Sequence, residues 1–228
     1  MKANRYLVLD TECVGLTNKS VYDIAWRIVD KHNNVYVERS YVVEEIITNG
    51  KAMMDAFYAK KIFSHYIPNL YHRNITMMGW NNIRKLMIDD IDTYNANIFS
   101  AYNLGFDVSA IRYTNSLFNP NSKYLHKKLR LLDLWDLACS SILSQKQYIR
   151  VALDSNWVSD KGNIQTSAEK AYAYITGNVD FVESHTALED VIIESHILHQ
   201  SLRQKKKVNY NVMNNSPWRK VAAARAAM

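Results

Sequence analysis

The segment Tyr6-Leu7-Val8-Leu9-Asp10 constrains this chain more than any other. It is a short apolar run, closed by an acid, that suits a buried strand. Residues 22–30 and 35–45 then alternate apolar and polar side chains around the turn-forming Lys31-His32-Asn33-Asn34, which predicts a hairpin. Three consecutive antiparallel strands therefore open the fold.

From about residue 46 to 97 the periodicity becomes helical, through Met53, Met54, Phe57, Ile62 and Phe63 and later Ile83, Leu86, Met87 and Ile91. This is a helical insertion before the next strand, and its Met, Tyr and Trp residues, Trp80 included, are expected in the core rather than stacked on bases. Residues 97–102 predict a strand leading into a helix that begins near Asp107. Residues 129–134 predict another strand, running into a helix through Leu143. Alternation of strand and helix implies parallel pairing. A helix over 168–176 is stopped by Gly177-Asn178, and a final helix spans 186 to about 200. The expected fold class is α/β: a mixed sheet of three antiparallel strands followed by parallel ones, flanked by helices.

A chain of 228 residues, 48% hydrophobic, can bury one sizeable core. Six glycines and three prolines mark no linker, so one domain over 1–202 and a tail over 203–228 are expected. No run approaches the ~20 apolar residues of a membrane span, and the first ten residues do not read as an export signal. Two isolated cysteines, Cys13 and Cys139, make neither a disulfide framework nor a metal motif. A soluble, cytoplasmic protein is expected, with Cys13 as a small buried residue. Within the net charge of +6, residues 201–228 carry seven Lys and Arg and no acid, which leaves residues 1–200 at −1. Such a tail can hold a phosphate backbone by counterion release, or stand as a solvated, poorly ordered end.

Asp10 and Glu12 close the first strand, and positions i and i+2 of a strand point to the same side. Two carboxylates therefore converge at a strand's carboxyl end, where open α/β sheets place ligands. Tyr102-Asn103-Leu104-Gly105-Phe106-Asp107 brings a third acid to the next strand end, where Asp107 also reads as an N-cap. In His185-Thr186-Ala187-Leu188-Glu189-Asp190, Thr186 and Glu189 form a capping box that starts a helix. His185 and Asp190 then take the two positions that face each other across the helix start. Taken singly, each element has a plain structural reading: acids closing a strand, a cap, a surface pair. Together they supply four carboxylates and an imidazole. Mg²⁺ is usually held by a few carboxylates plus water and substrate phosphate, and two such ions can clamp a phosphodiester displacement.

Asp10-Thr11-Glu12-Cys13-Val14-Gly15-Leu16, Asn103-x-x-Phe106-Asp107 and His185-x4-Asp190 resemble the three motifs of the DnaQ-like, or DEDDh, 3′→5′ exonucleases, over most of residues 6–200. Bacteriophage-encoded members are similar. The resemblance implies a ribonuclease H-like fold and two divalent ions, Mg²⁺ or Mn²⁺, held by Asp10, Glu12, Asp107 and Asp190. It makes His185 the general base, Leu16 a wedge against terminal bases, and Thr11 a grip on the 3′ end. Asn103 and Phe106 become supporting or substrate-contacting residues. Tyr102 stands where many members have His, and Val14 where Thr or Ser is common. The implied activity is hydrolysis of 3′-terminal phosphodiesters of DNA or RNA, single-stranded DNA favoured, releasing nucleoside 5′-monophosphates. A second reading is a nuclease-fold binding or interaction module that has lost activity. A third is an internal-cutting ribonuclease H or integrase-like enzyme, against which Glu12 argues, since that class does not normally place its second acid two residues after the first.

Overall fold

The computed structural model describes residues 4–54, 56, 59–125, 129–204 and 207–228. Phe57, Lys205 and Lys206 lie outside the described residues. Strands β1 (Arg5–Cys13), β2 (Val21–Asp30) and β3 (Val35–Val43) form the expected antiparallel meander. Its second turn is closed by Asp30, whose Oδ1 accepts from the backbone of His32 at 2.8 Å and Asn34 at 3.1 Å. The insertion follows as α1 (Glu44–Ile47), α2 (Gly50–Met54), α3 (Ala59–Lys61), a π-helical turn (Ile62–Tyr66), α4 (Ile67–Tyr71), a two-residue strand β4 (Met77–Met78) and α5 (Trp80–Thr93). Then come β5 (Ile98–Ala101), α6 (Leu104–Phe118), β6 (Arg130–Asp133), α7 (Leu134–Cys139), α8 (Lys146–Asp154), α9 (Ala168–Thr176), α10 (Ala187–Gln204) and α11 (Trp218–Ala226). The sheet order is β4-β3-β2-β1-β5-β6, with β5 parallel to β1 and β6 parallel to β5.

β1 is central and buried on both faces, which is why it is a continuous apolar run rather than an alternating one. Tyr6 and Val8 pack with Ile98, Ile193 and Ile197 on the α10 side. Leu7 and Leu9 pack with Trp26, Ile83, Met87 and Ile111 on the α5 and α6 side. By the same parity Asp10 and Glu12 turn toward the α10 layer and Thr11 toward the α6 layer.

The insertion is pinned by buried polar bonds. Trp26 Nε1 donates to Asp90 Oδ2 at 3.0 Å, and Arg39 Nε reaches the same oxygen at 3.2 Å. Trp80 is fully buried, as expected of a core residue, and its backbone N–H at the start of α5 is capped by Glu45 Oε2 at 3.0 Å. Met54, Phe63, Tyr71 and Met77 depart from the expected core positions, at 65%, 61%, 83% and 43% exposure. The run is broken into short helices and a π turn, which keep Met53, Ile62 and Tyr66 inward as expected but turn their neighbours out.

Other boundaries also move. α6 starts at Leu104, because Asn103 adopts a left-handed conformation (φ 63°) as the N-cap. Asp107 is therefore a first-turn residue and not the cap. α7 stops at Cys139, where Ser140 and Ser141 bond back to the Leu137 carbonyl at 3.0 and 2.6 Å and compete with helix continuation. α8, α11 and β4 were not anticipated. α10 runs to Gln204, past the expected boundary at 202.

The described part of the C-terminal segment does not stand free in solvent. Val221 of α11 is 1% exposed, Lys220 Nζ is 2.6 Å from Asp136 Oδ1, and Arg225 donates to the Gly162 carbonyl at 2.7 Å. Asn211 pairs both backbone groups of Leu131, covering the edge of β6 that would otherwise be open to another strand. Among the described residues, no helix is long and apolar enough to cross a membrane.

Candidate active site

The end of β1 and the first turn of α10 meet because α10 packs across β1 and β2. Glu12 pairs in register with Asp23 of β2, and Asp23 Oδ2 accepts the first helical N–H, that of Ala187, at 3.2 Å. A side chain from the sheet thus sets the helix start beside the strand end. One carboxylate oxygen from each of Asp10, Glu12 and Asp190 falls within 4.8 Å of the others.

Asp107 enters from the opposite layer. Its Oδ1 accepts from Thr11 N at 3.1 Å and from Thr11 Oγ1 at 2.8 Å, so it is tied to the residue between the two strand-end acids but lies outside the three-carboxylate cluster. Burial, then Asp107, Glu194, Asp190 and Glu12, hold the Asp10 carboxyl well above the ordinary range. Burial raises Glu12 to about 8 against the opposing charge of Lys61, and raises Asp190 to about 8 with help from Glu183. Asp107 is raised to about 7, again by burial, with the Thr11 hydrogen bonds opposing.

Two buried carboxylate oxygens, Asp190 Oδ1 and Glu194 Oε2, have no hydrogen-bond partner. Buried charge normally demands compensation, and hard divalent cations take oxygen donors of this kind. The residues present therefore fit divalent metal.

His185 sits just before α10 with φ 53°, a left-handed conformation. Its Nδ1 is 2.9 Å from Glu183 Oε1, and its carbonyl accepts from Lys61 Nζ at 2.6 Å. The expected capping box is replaced. Glu189 turns back to the Ser184 N–H, Thr186 Oγ1 lies 3.1 Å from Ser184 Oγ, and the cap on Ala187 comes from Asp23. Lys61, Asp23, Glu183 and Glu194 were all missed by sequence reasoning. Lys61 and Asp23 are distant in sequence from what they touch, and no local pattern marks them. Glu183, two residues before His185, and Glu194, one helical turn after Asp190, lie close in sequence to the site residues; Glu194 Oε1 accepts from Tyr102 N at 3.0 Å.

Leu16 is 66% exposed, while Phe106 is half-buried with Lys19 Nζ 5.5 Å from its ring centroid. The Asn103 carbonyl accepts from Phe106 N at 2.9 Å. Cys13 is buried as expected, and burial pushes its thiol up to about 12.

No protein-family model and no curated protein matches the chain. Solved structures do. One is a complex described as ExoI/SSB-Ct, with 13% identity and a TM-score of 0.53, covering 90% of this chain and 42% of that one. Another is E. coli Exonuclease I in complex with a dA16 oligonucleotide, with 14% identity and a TM-score of 0.54, covering 89% of this chain and 41% of that one. This chain spans less than half the length of the structures it matches, and at such identity the likeness concerns the fold. That fold is a ribonuclease H-like mixed α/β sheet, antiparallel then parallel, of the kind found in these exonuclease structures.

Proposed function

We propose that this chain is a metal-dependent 3′→5′ exonuclease that hydrolyses 3′-terminal phosphodiesters of single-stranded DNA or RNA, DNA preferred, releasing nucleoside 5′-monophosphates. The observation that carries the reading is the convergence of Asp10, Glu12 and Asp190 at the end of β1, with Asp107 held beside them by Thr11. Asp10, Glu12, Asp190 and Asp107 would hold two ions, Mg²⁺ or Mn²⁺. Bound there, divalent metal supplies Lewis-acid stabilisation of charge on phosphate oxygens.

The chain's own residues divide the remaining work. His185 takes the proton of the attacking water, a contribution typically worth ~10²–10⁴ in rate. Leu16 offers an exposed apolar side chain to the terminal base, and such contact tolerates any sequence. Phe106 and Asn103 support the second strand end. Thr11 engages Asp107 with both its N–H and its hydroxyl, so its part is to hold that carboxylate rather than to grip the 3′ end. The exposed basic residues Arg203 and Lys207 are available to the phosphate backbone.

The test is digestion of matched 5′-labelled single-stranded DNA and RNA with Mg²⁺ or Mn²⁺, with EDTA as control. A metal-dependent ladder shortening from the 3′ end is the expected result. Intact polymers, or cleavage at internal positions, would overturn the reading.

A further inference from the structure

The helical insertion reaches the start of α10 at two points. Tyr66 OH donates to Asp23 Oδ2 at 2.7 Å, and that same oxygen accepts the Ala187 N–H. Five residues earlier in the chain, Lys61 Nζ donates to the His185 carbonyl at 2.6 Å. His185 is in the left-handed region, which a non-glycine residue keeps only where its surroundings over-determine it. A charged donor on its carbonyl is such a restraint.

The ring is restrained separately. Nδ1 lies 2.9 Å from Glu183 Oε1, and Glu183 is itself anchored, its N–H donating to Glu169 Oε2 of α9 at 3.2 Å. In a neutral imidazole, the nitrogen that donates to a carboxylate carries the proton and the other becomes the acceptor. A base oriented in turn by a third group is the recurrent arrangement of activated hydrolytic sites.

We propose that Lys61 and Glu183 are positioning residues for His185. Lys61 fixes the backbone through the His185 carbonyl, and Glu183 fixes the ring in the tautomer with its proton on Nδ1, leaving Nε2 as the acceptor. The insertion is thereby part of the active site and not only packing for the sheet. The inference rests on the reading of His185 as general base.

The first arm of the test does not depend on activity. Nitrogen-15 spectra of the full chain should show His185 protonated on Nδ1, with the second tautomer appearing in Glu183→Ala. A wild-type proton on Nε2, or an unchanged spectrum in the variant, would overturn the role of Glu183. The second arm is a double-mutant cycle read in single turnover. Lys61→Met should slow the wild type at least about tenfold at saturating Mn²⁺, short of the ~10²–10⁴ that removal of the base itself costs. Lys61→Arg should restore most of the rate, and Lys61→Met should have no further effect in a His185→Ala background. An equal loss in both backgrounds would overturn the role of Lys61. A His185→Ala enzyme with the wild-type rate would instead remove the base assignment, and the tautomer result would still report on Glu183.

Discussion

Asp10, Glu12 and Asp107 come from the sheet and the helix packed on it, whereas His185 and Asp190 come from a loop and a helix start that other segments hold in place. In the first region Leu7, Leu9, Ala110 and Ile111 are fully buried, and the strand register fixes where each carboxylate points. In the second, α10 packs Ala187 and Val191 on Ala25 of β2, but the loop and helix start before and at that contact are set by polar links: Asp23 to Ala187, Lys61 to the His185 carbonyl, Glu183 to the imidazole, and Glu169 to the Glu183 N–H. Substitutions in the first region should therefore change charge and chemistry while leaving the fold in place. Substitutions in the second should change geometry.

The largest expected effect is that of Asp10→Asn. Hydrolysis should fall to background, while the metal-free variant melts at a higher temperature than wild type, because a buried carboxyl held far above its ordinary range by burial and four other acids opposes folding. Residual turnover near the wild-type rate would contradict the assignment of Asp10.

Asp23→Ala removes the acceptor of two buried bonds, from Tyr66 OH and Ala187 N–H. Leaving those donors unsatisfied costs about 1–3 kcal/mol each, measurable in urea. Activity should fall with stability, since the start of α10 loses its hydrogen bond to β2. A loss under about 0.5 kcal/mol would place that tie outside the energetics of the site.

The raised carboxyls make the metal-free protein sensitive to pH. Glu12 and Asp190 stand at about 8 and Asp107 at about 7, against about 4 in an unfolded chain. The folded state holds these protons more tightly. Their stabilising contribution is complete below about pH 4 and is lost as pH rises toward 8. In EDTA the melting temperature should fall between pH 5 and 8.5, and saturating Mg²⁺ should reverse the fall, by about 2.7 kcal/mol at a hundred times Kd. A melting temperature that rises with pH in EDTA would contradict the crowding of these acids.

The smallest effect concerns the C-terminal charges. Replacing Arg203, Lys205, Lys206 and Lys207 with Gln should lower the salt slope of single-strand binding by about 0.7 for each phosphate that is no longer neutralised. An unchanged slope would mean that these side chains are merely solvated.

What the sequence discloses about this molecule follows the same division. The apolar run at Tyr6, the hairpin and the D-x-E parity were legible because strand side chains alternate strictly and a central strand must be apolar on both faces. The helix stop at Gly177 was legible for a similar reason, since a left-handed C-cap (φ 71°) favours glycine. The beginning of α6 was not, because Asn103 entered the left-handed region and started the helix ahead of Asp107. At the start of α10 the local capping pattern was present, yet Asp23 supplied the cap from β2. Lys61 touches a residue 124 positions away, and nothing around it in sequence marks that pairing.

The most direct test of the central claim, that the carboxylates at the end of β1 form a metal centre, is Mn²⁺ titration of the full chain followed by calorimetry. Two ions per chain in the wild type, with the loss of at least one in both Glu12→Gln and Asp190→Asn, is the expected result. No saturable binding at millimolar Mn²⁺, or binding that both substitutions leave unchanged, would contradict it.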